Sequence, residues 1–396
     1  MIDAASAASE PLDAPKLQVH FLEGQPLLFD EQRQKLYAAD RTAAFVLCCL
    51  QEGLDIEAIE RKLAATASLS PTTARIVVRE ALAQLKSTAS AGEASAGIVG
   101  AAHPLSGPSA FSAANFREAG TPKIGTDCRI ALAGTVVHIA CSDRAVARRV
   151  LSAFSHLATE EDPARFRIDV QASESGYVIF QDREPIFHLP ELEAITPALK
   201  AHLVQGVLAR DDYRLAVHAA AVARGDRVLL LPGDAGSGKS TLAAALISRG
   251  FSFLGDDTVL LGNDLRVRGV PFALAVKAGA WDLLKPYHPS LFALPVDRRP
   301  DGRVVRYLRP DAVTTGSLSA RWMIFPDWER APGSGLKHLP RVDALKRFLP
   351  GCYASARRLR DRDMAQLIAW IEGIECCTLD SSDLAGAVAA IEQMCR

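Results

Sequence analysis

The stretch LLLPGDAGSGKSTLAAALISRGFSFLGDDTVLL at residues 229–261 decides how the rest of the chain is interpreted. An apolar run at 228–231 leads into a glycine-rich loop, and the loop runs directly into a helix-forming segment at 241–248. The loop matches the pattern G-x-x-x-x-G-K-[ST], which binds phosphate groups when a strand precedes it and a helix follows it. Both flanks are present, so the sequence predicts a phosphate-binding unit and not a chance glycine turn.

Each residue type in this loop has a chemical reason. Gly233, Gly236 and Gly238 permit backbone angles that a Cβ would forbid, so consecutive amides can converge on phosphate oxygens at a helix N-terminus. The Lys239 ammonium supplies charge for the β and γ phosphates, and the Ser240 hydroxyl is placed to bind Mg²⁺. The predicted nucleotide-binding residues are Gly233, Asp234, Ala235, Gly236, Ser237, Gly238, Lys239, Ser240 and Thr241, together with Lys277 further along the chain.

Two adjacent carboxylates follow the next apolar segment. Residues 251–254 predict a short buried strand, after which Asp256 and Asp257 would face the loop. Neighbouring residues of a strand point to opposite faces, so one carboxylate can reach Mg²⁺ while the other reaches a substrate hydroxyl. We therefore predict Ser240 and Asp256 as metal ligands, and Asp257 and Lys239 as catalytic residues, with ATP and Mg²⁺ bound. An ordinary Asp-Asp turn is the alternative.

Taken together, these residues resemble the HPr kinase/phosphorylase family. The similarity lies in GDAGSGKS at 233–240, SRG at 248–250, the Asp-Asp pair, and VHAA at 217–220 before the hairpin that leads into the loop. It extends over residues 125–330 and is specific only at 215–260. The resemblance implies an α/β fold with a P-loop kinase core of the HPr kinase/phosphoenolpyruvate carboxykinase type, and phosphorylation of a protein serine.

Two further features bear on this resemblance. His218 has the family's spacing to the loop, so we predict it as a catalytic residue that orients the carboxylate or phosphate, with a structural histidine as the alternative. The family's Arg-Gly-Leu-Gly signature after the Asp-Asp pair is missing. Lys277 is the candidate to replace its charge, and Arg306 and Arg309 are others. The missing signature weakens the case for the reverse, phosphorylase reaction.

Residues 17–88 predict a small separate domain. A hairpin at 26–37 precedes three helices at 41–51, 56–65 and 72–86, which begin after Asp40, Asp55 and Ser70. This winged-helix-like α+β arrangement raises the possibility of DNA binding. However, residues 17–86 contain nine acidic and eight basic side chains, so we expect no basic face and no nucleic-acid partner.

The same region is similar to PqqD, a peptide-binding fold used in the biosynthesis of ribosomally made, modified peptides. The residues that carry the similarity are LFD at 28–30, YAADRTAA at 37–44 and EGL at 52–54. The resemblance implies that residues 17–88 bind a leader peptide as an added β-strand along the third helix. A structural appendage or a dimerisation module is the alternative, so a homo-oligomer remains open.

The rest of the chain divides by composition. Residues 1–16 are small and polar and predict disorder, whereas residues 89–124 are rich in Ala, Ser, Gly and Pro and predict a flexible linker. Residues 125–396 predict the kinase domain, in which helical patterns at 342–349, 361–371 and 382–394 form a C-terminal cap. Such a linker would keep a captured peptide close to the kinase site.

Composition excludes several other classes of protein. The chain has 396 residues, 49% of them apolar, and a net charge of −1, which favours neither nucleic acid nor an anionic membrane. Its apolar runs are shorter than the ~20 residues that a spanning helix needs, and its start lacks a secretory signal pattern. The eight cysteines are scattered without metal-binding spacing, which fits reduced thiols. We therefore expect a cytoplasmic protein with no membrane partner.

The sequence thus predicts an ATP-dependent P-loop serine kinase acting on a peptide or small protein, captured as a ribosomally made precursor by residues 17–88. Three alternatives remain open, of which a transcription regulator is the weakest because of the charge balance of residues 17–86. A small-molecule kinase would share the nucleotide site but need no peptide groove. A nucleotide-gated peptide-binding or chaperone protein would transfer no phosphoryl group.

Overall fold

The structure, a computed structural model, describes residues 16–90, 96–97, 126–161, 163–210, 212–327, 335–354, 358–380 and 383–396. The predicted disordered segment at 1–16 lies outside these ranges except for Lys16, and the predicted linker does so except for 89–90 and 96–97. Within the described ranges the protein is mixed α/β, with ten α-helices and four β-sheets. No described helix combines the length and the apolar character that crossing a membrane requires.

The first part of the chain forms a small sheet and three helices. Asp40 and Asp55 start the first two helices as predicted, because their carboxylates accept hydrogen bonds from the amides of Ala43 and Ala58 at 2.7 Å. The sheet is antiparallel throughout, and its first strand is an addition to the prediction. The elements are β1 (Leu17–Leu22), β2 (Gln25–Asp30), β3 (Lys35–Ala38), α1 (Arg41–Gln51), α2 (Ile56–Ala67), α3 (Pro71–Ser90) and β4 (Ala96–Gly97).

The next part forms a five-stranded sheet and two helices. Asp143 caps the first helix by accepting hydrogen bonds from the amides of Ala145 and Val146. The elements are β5 (Thr126–Leu132), β6 (Thr135–Cys141), α4 (Arg144–Phe154), β7 (Phe166–Ser173), β8 (Gly176–Gln181), β9 (Glu184–Leu189) and α5 (Ile195–Leu208).

The part that contains the glycine-rich loop is mostly strand. Its elements are β10 (Tyr213–Val217), β11 (Ala219–Arg224), β12 (Arg227–Pro232), α6 (Lys239–Ile247), β13 (Ser252–Gly255), β14 (Val259–Gly262), β15 (Val267–Gly269), β16 (Leu274–Lys277), α7 (Trp281–Leu284), β17 (Asp297–Arg298), β18 (Val304–Leu308), β19 (Ser317–Asp327) and β20 (Gly335–His338). The chain then ends with α8 (Arg341–Phe348), β21 (Cys352–Ala354), α9 (Asp361–Glu372), β22 (Glu375–Asp380) and α10 (Leu384–Met394).

The described residues separate into two compact units. The first contains 16–90, 96–97, 341–350 and 358–372, and the second contains the rest of the described chain. Two of the three helices predicted as a cap on the kinase domain, α8 and α9, therefore belong to the first unit. Contacts between residues far apart in sequence hold them there: Arg341 pairs with Glu23 at 2.5 Å, and the side chain of Gln34 bonds both backbone groups of Leu359.

In the second unit a ten-stranded mixed sheet carries the loop. β12 lies between β11, which is antiparallel to it, and β19, which is parallel to it. The helix α6 that follows the loop is buried from Leu242 to Ile247, and it packs in one cluster with Leu384 and Val388 of α10. An α-helix that is apolar on all sides is typical of a protein core, so the loop is attached to rigid elements at both ends.

The strand before the loop is interrupted at His218. The chain divides there into β10, which pairs with β14 and β21, and β11, which pairs with β12 and β13. At the break, the His218 amide donates to the carbonyl of Gly351 at 2.7 Å. The break matters because it places the His218 side chain beside the loop.

Candidate functional site

The loop between β12 and α6 has three glycines with positive φ angles. Gly233, Gly236 and Gly238 adopt φ angles of 149°, 98° and 81°, which side-chain-bearing residues rarely adopt. A Cβ added to Gly233 would also lie 2.9 Å from the Ser237 hydroxyl. The first amides of α6 have no partner within the helix, so they and the helix dipole favour an anion at this end.

Lys239, the first residue of α6, lies folded back over the loop. Its side chain is buried, and Nζ donates to the carbonyls of Gly233 and Asp234, both at 2.7 Å. An ammonium group has three donors, so the third remains for a phosphate oxygen. Burial lowers the pKa of Lys239, and the nearby carboxylates of Asp256 and Asp257 oppose that effect.

Ser240 and Asp256 form the pair that the metal prediction requires. The Ser240 hydroxyl donates to Asp256 Oδ1 at 2.8 Å, and Asp256 is 3% exposed. Asp256 Oδ2 is buried and has no hydrogen-bond partner among the described residues. Burial, with the charge of Asp257 second, raises the pKa of Asp256 to about 6. A hydroxyl beside an orphaned carboxylate oxygen fits a hard cation such as Mg²⁺.

The described residues contain no group of three or more His, Cys, Asp or Glu side chains that could hold a metal ion alone. Mg²⁺ does not require such a group, because it commonly binds through one or two carboxylates plus water and substrate phosphates. The Ser240 and Asp256 pair is therefore sufficient on the protein side when a polyphosphate supplies the remaining oxygens.

Asp257 is separated from Asp256 by backbone geometry and not by strand alternation. Both aspartates follow the end of β13, so the predicted placement on opposite faces of a strand is wrong. Asp257 instead has φ of 68°, a left-handed conformation that aspartate adopts more readily than most residues but still at a cost. That turn directs its carboxylate into the cavity, where it is one of the lining groups.

His218 holds the Asp257 backbone. Its Nδ1 lies 2.9 Å from the Asp257 carbonyl oxygen, and because a carbonyl only accepts, Nδ1 carries the proton. Burial, together with the charge of Lys239, lowers the pKa of His218. The imidazole is therefore neutral at pH 7, and its Nε2 is left as an acceptor. The structure thus brings the predicted histidine to the site, in contact with the main chain of the predicted base.

Two cations beside Asp257 were not predicted. Lys200 Nζ lies 3.6 Å and Arg299 Nη1 lies 3.9 Å from Asp257 Oδ2. Burial alone would raise the pKa of Asp257, but these two cations outweigh it and hold that pKa below its usual value. The sequence carried a weak signal for Lys200, which is one charged residue within an otherwise apolar helical run, whereas Arg299 lies in an ordinary polar turn.

These groups surround one cavity of about 540 Å³. The loop and the start of α6 supply one group of lining residues, and Asp257, His218 and the β17–β18 turn supply another. Most predicted site residues line it: His218, Ala235, Gly236, Gly238, Lys239, Ser240, Thr241, Asp257 and Lys277. Gly233, Asp234, Ser237 and Asp256 are not among the lining residues. The unpredicted lining residues include Leu283, Arg299, Asp301, Arg303 and Leu384.

Only one of the three proposed substitutes for the missing family arginine faces the cavity. Lys277 lines it, at the end of β16. Arg306 donates to the Leu294 carbonyl and lies 4.5 Å from the Trp281 ring centroid, and Arg309 donates to the Ser155 hydroxyl at 3.0 Å. Arg306 and Arg309 are therefore engaged elsewhere.

Comparison with known proteins gives limited information. No family model matches the chain, and no curated protein matches it. Thirty-six chains of solved structures match. One is the Hpr(Ser) kinase/phosphatase from Coxiella burnetii, with 16% sequence identity over 39% of this chain and 87% of that chain, and a TM-score of 0.18. This similarity is too weak to assign a fold or an activity, so the functional conclusions below rest on the geometry of the site.

Proposed function

We propose that the protein is a kinase that transfers the γ-phosphoryl group of ATP to a hydroxyl group, and that the acceptor is a serine of a peptide or small protein. The observation that supports the proposal is that two adjacent aspartates have different surroundings. Asp256 lies behind the loop against Ser240, and Asp257 faces the same cavity from the other side. A purely binding nucleotide site needs the first arrangement but not the second, whereas transfer of the γ-phosphoryl group to a hydroxyl uses both.

In this proposal the loop binds the triphosphate. The amides at the start of α6 and the free third donor of Lys239 contact phosphate oxygens, as the loop glycines permit. Ser240 Oγ and Asp256 Oδ2 would hold Mg²⁺, because the first is a hydroxyl and the second has no other partner among the described residues. When bound, Mg²⁺ neutralises charge on the phosphates.

Asp257 acts on the acceptor. Its carboxylate takes the proton of the hydroxyl while that oxygen forms a bond to the γ-phosphorus, and the bond from the γ-phosphorus to the bridging oxygen breaks to release ADP. Two features suit Asp257 for this role. Its side chain is 22% exposed, so it is accessible from the cavity, and the cations Lys200 and Arg299 keep it ionised.

Arg299 is the residue we propose in place of the missing family arginine. It lies on the turn between β17 and β18, where its amide donates to the Arg303 carbonyl at 2.9 Å. Arg299 and Arg303 both line the cavity opposite the loop. A guanidinium is suited to phosphate oxygens because it presents several donors in a fixed plane. The lining side chains carry four cations against two carboxylates, a surplus that suits a metal-bound triphosphate without requiring an anionic acceptor.

Capture of the acceptor by residues 17–88 is part of the same proposal. The sheet of the first unit has the order β1, β2, β3, β4, and β4 pairs with β3 only at Lys35 and Leu36. A peptide that adds as a strand at this edge would replace this short pairing or extend beyond it. The similarity of residues 28–54 to PqqD supports this part of the proposal.

The test is a transfer assay with ATP and Mg²⁺. One set of acceptors consists of serine-containing peptides encoded by genes beside this one, and the other of free L-serine, L-threonine and glycerol. Mass spectrometry should show the gain of one phosphoryl group on a peptide serine, and Asp257→Asn should slow this gain by about 10² to 10⁴-fold. Asp282→Asn, an exposed carboxylate on α7, is the control and should have no effect. If only L-serine, L-threonine or glycerol gains a phosphoryl group, the protein is a small-molecule kinase and the peptide acceptor is wrong. Hydrolysis of ATP without any transfer would overturn the proposal.

A further inference from the structure

Helix α5 carries one charged side chain in an apolar setting. It reads ITPALKAHLVQGVL, and within it Lys200 is 8% exposed while Leu199 and Leu203 are buried in the core of the second unit. Burial of an ammonium group is costly unless other groups compensate for the lost water. A lysine retained at such a position therefore needs an explanation from its surroundings.

Those surroundings consist of one carboxylate and two aromatic rings. Lys200 Nζ lies 3.6 Å from Asp257 Oδ2, 6.0 Å from the centroid of the Phe272 ring and 5.9 Å from that of the Tyr307 ring. Lys200 and Asp257 form an ion pair, but the distance between Nζ and Oδ2 is too long for a hydrogen bond. Nζ has no hydrogen-bond partner among the described residues. The ammonium is thus confined by the rings and oriented toward Asp257.

Lys200 does not line the cavity, whereas Asp257 does. Any effect of Lys200 on a molecule in the cavity must therefore pass through Asp257. Two other contacts already act on Asp257, since His218 Nδ1 holds its carbonyl oxygen and Arg299 approaches the same carboxylate oxygen at 3.9 Å. Lys200, the more buried of the two cations, adds a second contact to that oxygen.

We propose that Lys200 is a positioning residue, which fixes the orientation of the Asp257 carboxylate toward the acceptor hydroxyl without contacting substrate itself. This inference rests on the kinase function proposed above. The aromatic rings keep the ammonium from moving away, and its charge keeps Oδ2 directed inward, so that Oδ1 is the oxygen presented to the cavity.

The test compares Lys200→Met, which keeps the length of the side chain and removes its charge, with Lys200→Arg, which keeps the charge. The assays are transfer to the peptide acceptor and release of inorganic phosphate from Mg·ATP with water as acceptor. Lys200→Met should lower kcat by about 10²-fold, as expected for a misplaced reacting group, and leave the KM for ATP unchanged. Lys200→Arg should recover a substantial part of kcat.

A double-mutant cycle separates positioning from a structural role. In the Asp257→Asn background, Lys200→Met should have no further effect, because both substitutions act through the same carboxylate. Lys285→Met is the matched control, since Lys285 is exposed and lies 5.9 Å from the Phe292 ring centroid without a role at Asp257. The inference would be overturned if Lys200→Met lowered kcat by the same factor in the unmodified protein and in Asp257→Asn, or if it raised the KM for ATP.

A crystal structure of Lys200→Met provides a readout that does not depend on the acceptor. The Asp257 carboxylate should rotate away from its present orientation, toward Arg299, while the loop and Ser240 stay in place. An unchanged Asp257 would contradict the positioning role even if transfer were reduced. Failure of the proposed function is distinguishable, because it would appear in the unmodified protein as an absence of phosphoryl transfer to any acceptor, with or without hydrolysis of ATP.

Discussion

The two sides of the cavity differ in the chemical groups that form them: one consists mainly of main-chain amides and the other of side chains. The loop side consists of main-chain amides and one lysine from consecutive residues, attached to the buried helix α6. The facing side consists of side chains from two separate segments, Asp257 after β13 and Arg299 on the β17–β18 turn, and Lys200 on α5 contacts Asp257 without lining the cavity. Amides must be adjacent in sequence to converge on a phosphate, whereas side chains can meet from anywhere in the fold.

The contacts on the two sides also differ in kind. On the loop side they are hydrogen bonds of 2.7–2.8 Å between fixed groups. On the facing side the ion pairs of Asp257 are 3.6 Å and 3.9 Å long, so their geometry is less constrained. We therefore expect substitutions on the loop side to change nucleotide affinity, and substitutions on the facing side to change the rate of transfer.

The largest effect should come from Asp257→Asn on the facing side. An amide cannot accept the proton, so kcat should fall by about 10² to 10⁴-fold, the usual contribution of a general base. Calorimetry should show an ATP affinity within a factor of about two of the unmodified protein, because no atom of the loop changes. An equal loss of affinity and rate would mean that the two sides are not separate in function.

Arg299→Gln should have the next largest effect. Loss of a guanidinium directed at the phosphates should reduce kcat by about 10²-fold, as for removal of one transition-state donor. Arg298→Gln is the matched control, since Arg298 is the preceding residue, is exposed and does not line the cavity. Similar rates for the two variants would remove Arg299 from the mechanism.

A substitution on the loop side should change the affinity for ATP and not the rate of transfer. Gly233 has φ of 149°, and an added Cβ would lie 2.9 Å from the Ser237 hydroxyl. Gly233→Ala should therefore weaken ATP binding about tenfold, since backbone strain of this kind costs about 1–3 kcal/mol. Gly279→Ala is the control, because Gly279 lines the same cavity and an added Cβ there meets nothing within 4 Å.

The smallest effect should come from a helix cap in the first unit. Asp40 accepts a hydrogen bond from the Ala43 amide at 2.7 Å, so Asp40→Ala should reduce the free energy of unfolding by about 1 kcal/mol, measured by denaturant titration. Asp40→Ser should retain most of the stabilisation that the cap provides, because a serine hydroxyl also accepts a hydrogen bond at this position. Because the cap is remote from the loop in sequence and lies in a different unit, ATP affinity should not change in either variant. A change in affinity would show that the two sides of the cavity respond to general stability.

The same contrast explains what the sequence could predict. The strand, loop and helix around 233–241 and the Ser240–Asp256 pair follow from a local motif, and His218 follows from its spacing to that motif. Lys200 and Arg299 could not be found in this way, because tertiary packing alone brings α5 and the β17–β18 turn to Asp257. The left-handed backbone of Asp257 was missed because the strand ends two residues earlier, at Gly255.

The grouping of α8 and α9 with the first compact unit could not be predicted for a related reason. Their amphipathic patterns predicted both helices correctly, but a pattern does not identify the partner surface. Their place in the first unit depends on single contacts over long sequence separations, such as Arg341 with Glu23 and Leu359 with Gln34. The predicted domain boundaries at 17–88 and 125–396 remain predictions.

The most direct test of the central claim is the affinity for ATP, measured by calorimetry with and without Mg²⁺, in Asp256→Asn and Asp257→Asn. If Asp256 holds the metal and Asp257 serves the acceptor, Asp256→Asn should lose the increase in affinity that Mg²⁺ provides, while Asp257→Asn should keep it. If both variants lose it equally, or if only Asp257→Asn does, the two aspartates do not divide the work in the way proposed here.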